Sequence, residues 1–183
     1  MASSSADTAP RPPLPPFTRE SAHAKVKAAQ DAWNTTNPEI VVPAYTKDCI
    51  WRNRGVFCQG HADMTTFLRR KWAREKNYRL RKELFAFTDE RIAVQFWYEF
   101  QAAPIDNHAG AGDDGNTGDG HYRSDLVPGQ WYRCYGLEDW TFAADGRMRK
   151  RMMSGNDVPI TEAERWFRDG VDVNTVDISE KHW

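Results

Sequence analysis

The chain has 183 residues, 40% apolar and 13% aromatic, with a formal charge of −1 at pH 7. That is enough for one domain with a proper core, and it leaves no global charge to draw the chain to nucleic acid or an anionic membrane. No apolar run approaches the roughly 18 residues that span a bilayer, and the N-terminus lacks the basic and apolar segments of a secretory signal, so a cytoplasmic protein is expected.

Cys49, Cys58 and Cys134 form an odd set without C-x-x-C spacing, which predicts reduced thiols. Residues 1–16, MASSSADTAPRPPLPP, are small, polar and proline-rich and predict a disordered tail. Order should begin near Phe17, where Thr18 can cap a helix carrying Ala22, Val26, Ala29 and Trp33 on one face. Asn37 and Pro38 restart a second, short helix as cap and first residue, with Ile40, Val41, Ala44 and Tyr45 as its buried side. Asp48 to Arg54 reads as a strand ending at Gly55; its alternation points Trp51 and Asn53 inward and sends Arg52 and Arg54 to a rim or interface. A third helix follows Gly60, with Met64, Phe67, Leu68 and Trp72 on its apolar face and Arg69, Arg70, Lys71 and Arg74 assigned to a solvated one.

Tyr78 to Phe87 and Arg91 to Phe100 predict two strands joined at Thr88-Asp89-Glu90. The second puts Ile92, Val94, Phe96, Tyr98 and Phe100 on one side and Ala93, Gln95, Trp97 and Glu99 on the other. An exposed Trp97 would be a reason to pair two copies, and a homodimer is expected. Residues 105–127 turn abruptly to Gly, Asp, Asn and His, a flexible insertion at the tip of a strand pair. Its acidic residues miss the ligand spacing of a calcium loop, so no metal is expected.

Residues 129–157 form the organising hairpin, two alternating runs joined at Ala143-Ala144-Asp145-Gly146. On the first run Tyr132, Cys134, Gly136, Trp140 and Phe142 share a face, and a period of two sets Glu138 in that apolar wall. On the second, Met148, Lys150, Met152, Ser154 and Asn156 share a face, with Arg147, Arg149 and Arg151 opposite; Lys150 or Met152 should then lie near Glu138. Thr161-Glu162-Ala163-Glu164 fits a capping box opening a short helix through Trp166 and Phe167. Residues 169–183 read as tail or lid.

In this order of elements, several landmarks stand out: Trp33, Ala44-Tyr45-Thr46 with Asp48, Trp51-Arg52-Asn53-Arg54, Phe67-Leu68, Lys71-Trp72 and Lys82-Glu83-Leu84. Arg91-Ile92-Ala93-Val94, Tyr135-Gly136 before Glu138 and Trp140, and Asn156-Asp157 before Pro159-Ile160 continue the set. Together they resemble the nuclear transport factor 2-like, or SnoaL-like, superfamily, and within it a subgroup catalogued as a domain of unknown function. The resemblance runs from Phe17 to about residue 168. It implies an α+β fold, a cone-shaped barrel of strongly curved mixed sheet closed by three N-terminal helices, with a pocket inside and commonly a dimer through the sheet. Relatives include isomerases, dehydratases, polyketide cyclases and epoxide hydrolases as well as non-catalytic proteins, so fold does not select the function.

Glu138 is the candidate catalytic residue, because desolvation beside Trp140 and Phe142 would raise its pKa into a useful range, whereas a partner such as Lys150 would lower it. Asn53, Tyr98 and Asn156 are candidate hydrogen-bonding groups for a ligand, and Trp51, Phe96 and Trp140 candidate aromatic walls. One reading is a cofactor-independent isomerase, dehydratase or cyclase acting on a small, partly apolar metabolite. The alternative is a non-catalytic binding or scaffold module. An open cavity of roughly 300 Å³ touching Glu138 would separate them.

Overall fold

The computed structural model describes residues 9–104 and 125–183. Thr18 caps α1, Arg19–Asn34, through a reciprocal pair with Ser21, and Ala22, Val26 and Trp33 are buried as their spacing requires. Asn37 accepts from the Glu39 amide to start α2, which is a single turn, Pro38–Val41. The second helix stops short of its expected length because Pro43 cannot continue the hydrogen-bond ladder; a 3₁₀ turn, Val42–Ala44, takes over, Tyr45 opens the next strand, and Ile40 is exposed.

Strands β1, Tyr45–Asn53, and β2, Val56–Gln59, lead into α3, Gly60–Arg74, and then come β3, Glu75–Phe87, β4, Arg91–Ala102, β5, Trp131–Phe142, and β6, Met148–Ile160. They form one curved sheet in the order β2-β1-β6-β5-β4-β3, parallel only between β1 and β6. The sheet does not close on itself, since β2 and β3 remain edges. Its concave side packs on α1 and α3 and holds the main core. β5 keeps the expected face, but close approach constrains one residue on it. A Cβ on Gly136 would stand 2.0 Å from Phe96 Cζ on the neighbouring strand, so only glycine fits there.

The faces of β6 differ from the sequence reading. Phe142 pairs with Met148 but Thr141 pairs with Lys150, so one extra residue bulges out at Arg149. The alternation flips beyond the bulge. Arg151 and Met153 point into the cone, and Lys150, Ser154 and Asn156 are exposed. Met153, rather than Lys150 or Met152, stands opposite Glu138.

Both chain ends are packed: residues 9–16 of the tail expected to be disordered, and the C-terminal segment read as tail or lid. From Ala9 onward the proline-rich stretch lies on the β5–β6 turn: Arg11 N donates to Asp145 O at 2.7 Å and Arg147 Nη2 to Ala9 O at 3.0 Å. Gly146, at φ +81°, lets the two backbones meet there. At the other end, Thr161 and Glu164 do form the capping box, but the helix is one 3₁₀ turn, Glu162–Glu164, and Arg165 is extended. The chain then runs across the convex face of the sheet. Glu99 accepts from the Trp166 amide at 2.9 Å, the Phe167 amide at 3.0 Å and Arg133 Nη2 at 2.7 Å. Phe167, Val173 and Ile178 pack with Trp97, and Trp183 meets its ring edge-on at 4.9 Å. Trp97 is therefore buried by its own chain, and the exposed ring expected at a dimer interface is absent. Residues 105–124 of the expected insertion, including Asn107 to Ser124, lie outside the described residues; Leu126, at its end, is buried in the core.

Candidate functional site

Inside the cone Glu138 is held by three donors. Lys82 Nζ on β3 reaches Oε2 at 2.8 Å, Trp140 Nε1 reaches the same oxygen at 2.6 Å, and Arg151 Nη2 on β6 reaches Oε1 at 2.5 Å. The Arg151 guanidinium lies over the rings of both Trp33 and Trp51, 4.7 and 4.6 Å from their centroids. Deeper in, Lys71 Nζ pairs with Glu75 and sits over Tyr98 and Tyr78 at 4.4 and 4.9 Å. Arg54, turned in by a positive φ at the end of β1, donates to Asp157 Oδ1 at 2.6 Å and to the Tyr98 hydroxyl at 3.2 Å.

Burial by itself would raise the Glu138 carboxyl pKa, but the charges of Arg151 and Lys82 and their hydrogen bonds outweigh it and bring it to about 2. Lys82 moves the same way for a different reason. Burial penalises its ammonium more than Glu138 favours it, and its pKa falls to about 8. Lys71 is likewise lowered by burial against the pull of Glu75. At neutral pH Glu138 is thus an ionised acceptor and a weak base, while burial brings Lys82 towards neutrality.

Five of the expected ligand-binding residues meet here: Trp51, Asn53, Phe96, Tyr98 and Trp140 share the interior with Glu138. Lys150 and Asn156 do not. Lys150 is exposed beside the bulge, and Asn156 lies in a groove on the convex face with Trp97, Tyr135 and Trp183. The cations that reach Glu138 are the ones the sequence reading missed. Lys82 falls two residues after Leu80 and four after Tyr78, a period of two that marks it as inward-facing. Lys71 likewise follows Met64, Phe67 and Leu68 at helical intervals of seven, four and three, and belongs to the buried face of α3 rather than a solvated cluster. Arg151 had no such signal, because the bulge that turns it inward is set by the hairpin turn.

Space is divided unevenly. The cavity touching Glu138, Lys82, Lys71 and Arg151 is about 10 Å³, room for about one water molecule. A second cavity of about 260 Å³ lies between α1, α2 and the β5–β6 hairpin, walled by Ala29, Ala32, Trp33, Tyr45, Trp140 and Phe142. Trp33 and Trp140 border both sites, so one indole layer separates the apolar cavity from the ionic cluster. Among the described residues no group of three or more His, Cys, Asp or Glu is placed to hold a metal, and no helix is long and apolar enough to cross a membrane.

A curved mixed sheet with α1 and α3 packed on its concave side is the α+β cone fold of nuclear transport factor 2-like proteins. Solved structures share it. One is the BvnE pinacolase of Penicillium brevicompactum, 15% identical, TM-score 0.55, over 75% of this chain and 84% of that one. Another is an NTF2-like protein of unknown function from Burkholderia pseudomallei, 17% identical, TM-score 0.55, over 73% and 88%. A third is a protein of ketosteroid isomerase-like fold from Catenulispora acidiphila in complex with trimethylamine, 13% identical, TM-score 0.53, over 75% and 86%. The chain belongs to the family described as Protein of unknown function (DUF1348), which matches residues 15–114 and 120–168. None of the curated proteins matches it.

Proposed function

We propose that the chain binds a small, partly apolar metabolite in the cavity between α1, α2 and the β5–β6 hairpin. The observation that carries this is the cavity itself, about 260 Å³ of aromatic and alanine-lined space, just below the usual 300–1,000 Å³ of small-molecule sites, roughly stated. The space beside Glu138 is too small for such a ligand. The three-donor clamp also spends both carboxylate oxygens, which supports a structural role for Glu138 in this state. Binding without chemistry is therefore the reading the geometry favours.

The second reading is a cofactor-independent isomerase, dehydratase or cyclase. It is favoured by the shared wall: a substrate that turned Trp33 aside would meet Lys82, near neutrality, and Glu138 together. The pinacolase and the ketosteroid isomerase-like protein of the same fold support it by analogy. Thermal-shift screening with small carbonyl, phenolic and terpenoid compounds tests both. Stabilisation of the wild type that disappears in Ala29→Phe, which fills the cavity, is expected; stabilisation that survives the filling refutes the site. Conversion of a bound compound by the wild type but not by Glu138→Gln selects the second reading.

We also propose a homodimer through the part of the convex sheet face that the C-terminal segment leaves open, where Ile50, Phe57 and Leu137 are exposed. Sedimentation at high concentration should give twice the chain mass, and a monomer there refutes it.

A further inference from the structure

The apolar cavity has a cationic mouth. Lys25 of α1 lines it together with Arg11 and Pro12 of the N-terminal segment, and its Nζ stands 5.5 Å from the centroid of Phe142, itself part of the wall. Among the described residues that ammonium makes one hydrogen bond, to the Arg11 carbonyl at 2.6 Å. Two of its three donors are left for another acceptor. The nearest carboxylate on this rim, Asp145, is engaged instead by the Arg147 guanidinium at 2.6 Å and the Arg147 amide at 2.9 Å. A half-buried ammonium over an aromatic wall, with no carboxylate of its own, marks the end of the cavity where negative charge is stabilised.

We propose that the ligand of this cavity is an apolar monocarboxylic acid, its chain or ring against Trp33, Tyr45 and Phe142 and its carboxylate on Lys25 Nζ. The proposal rests on the small-molecule reading above and adds the class of ligand. The Lys25 ammonium, with two open donors, matches one carboxylate, and the Arg11 guanidinium on the same rim adds to the positive charge that would hold it. Burial first, and then the neighbouring charge of Arg11, lower the Lys25 pKa to about 8 against the pull of Asp145. A bound carboxylate supplies a directly bonded counter-charge, which Asp145, engaged by Arg147, does not. The N-terminal segment is part of the site, because the Arg11 carbonyl fixes the ammonium and Pro12 borders the cavity.

Calorimetric titration of the full chain at pH 7 with decanoate and with decanamide tests this, and repeating it with 4-phenylbutanoate and its amide covers a ring-bodied ligand. The acid is expected to bind about tenfold tighter than the amide, the difference between a charged and a neutral acceptor. Lys25→Met, whose fold is checked by its melting temperature, should abolish the preference for the acid, weakening the acid by more than the amide, which loses only a neutral hydrogen bond. Equal affinity of acid and amide for the wild type overturns the assignment of ligand class while the small-molecule reading stands. Binding of neither overturns both.

Discussion

Replacing Glu138 by Gln keeps the shape of the side chain and removes the charge on which Lys82 and Arg151 converge. Both cations are almost fully buried, with side-chain exposures of 1% and 3%. Removing one partner of such a pair typically costs about 3–5 kcal/mol. The same size follows from titration. Arg151 and Lys82 overcome the burial penalty and bring the carboxyl from 4.5 to about 2, which at about 1.4 kcal/mol per pH unit is about 3 kcal/mol. For a chain of this length the melting temperature should then fall by about 6–20 °C at pH 7. The pH dependence carries a sign. A carboxylate whose folded pKa is depressed contributes fully above its unfolded value, here 4.5, and loses that contribution as pH falls towards 2. Wild type and Glu138→Gln should converge across that window. Lys82 acts oppositely: its charged form costs stability below about pH 8, and the cost is relieved as pH climbs towards 10.5. Urea denaturation at pH 7 and at steps below pH 4.5 reads the first effect directly. A loss at pH 7 below about 1 kcal/mol, the range of an exposed pair, would refute the buried clamp.

Gly136→Ala should destabilise by about 1–3 kcal/mol in urea denaturation, the cost of overpacking, because the new methyl group would fall 2.0 Å from Phe96 Cζ; unchanged stability would show that the ring can move freely. Glu99→Gln should loosen the C-terminal segment without unfolding the sheet, since the carboxylate holds the Trp166 and Phe167 amides and Arg133 at once. Tryptic cleavage at the exposed Arg168 is then expected to quicken about tenfold, as hydrogen bonds to a charged acceptor are weakened; an unchanged cleavage rate would contradict the role given to Glu99.

Much of the architecture was legible because it is written in short-range periods. Caps at Thr18 and Asn37 and the hairpin at Asp145-Gly146 are local chemistry that acts within a turn. The inward face of β5, with Glu138 among Tyr132, Cys134 and Trp140, follows from a period of two. Lys71 and Lys82 were equally legible by position, and only their charge argued against burial; paired and stacked on rings, long cations can go inside.

The tertiary structure decided the rest. One bulged residue at Arg149 exchanged the two faces of β6, bringing Arg151 rather than Lys150 to Glu138, because hairpin register is fixed by how the turn closes and not by the strand's own alternation. The same dependence on distant partners accounts for both chain ends. Proline-rich composition said that residues 9–16 could not fold alone, yet the Asp145-Gly146 turn gives them a surface to lie on. Weak patterning in residues 169–183 hid a segment whose burial, like that of Phe167 before it, comes from Trp97, Glu99 and Arg133 on another layer. A sequence specifies which of its faces are apolar. What covers each face, and whether the space between them is 10 or 260 Å³, is set only when the layers meet.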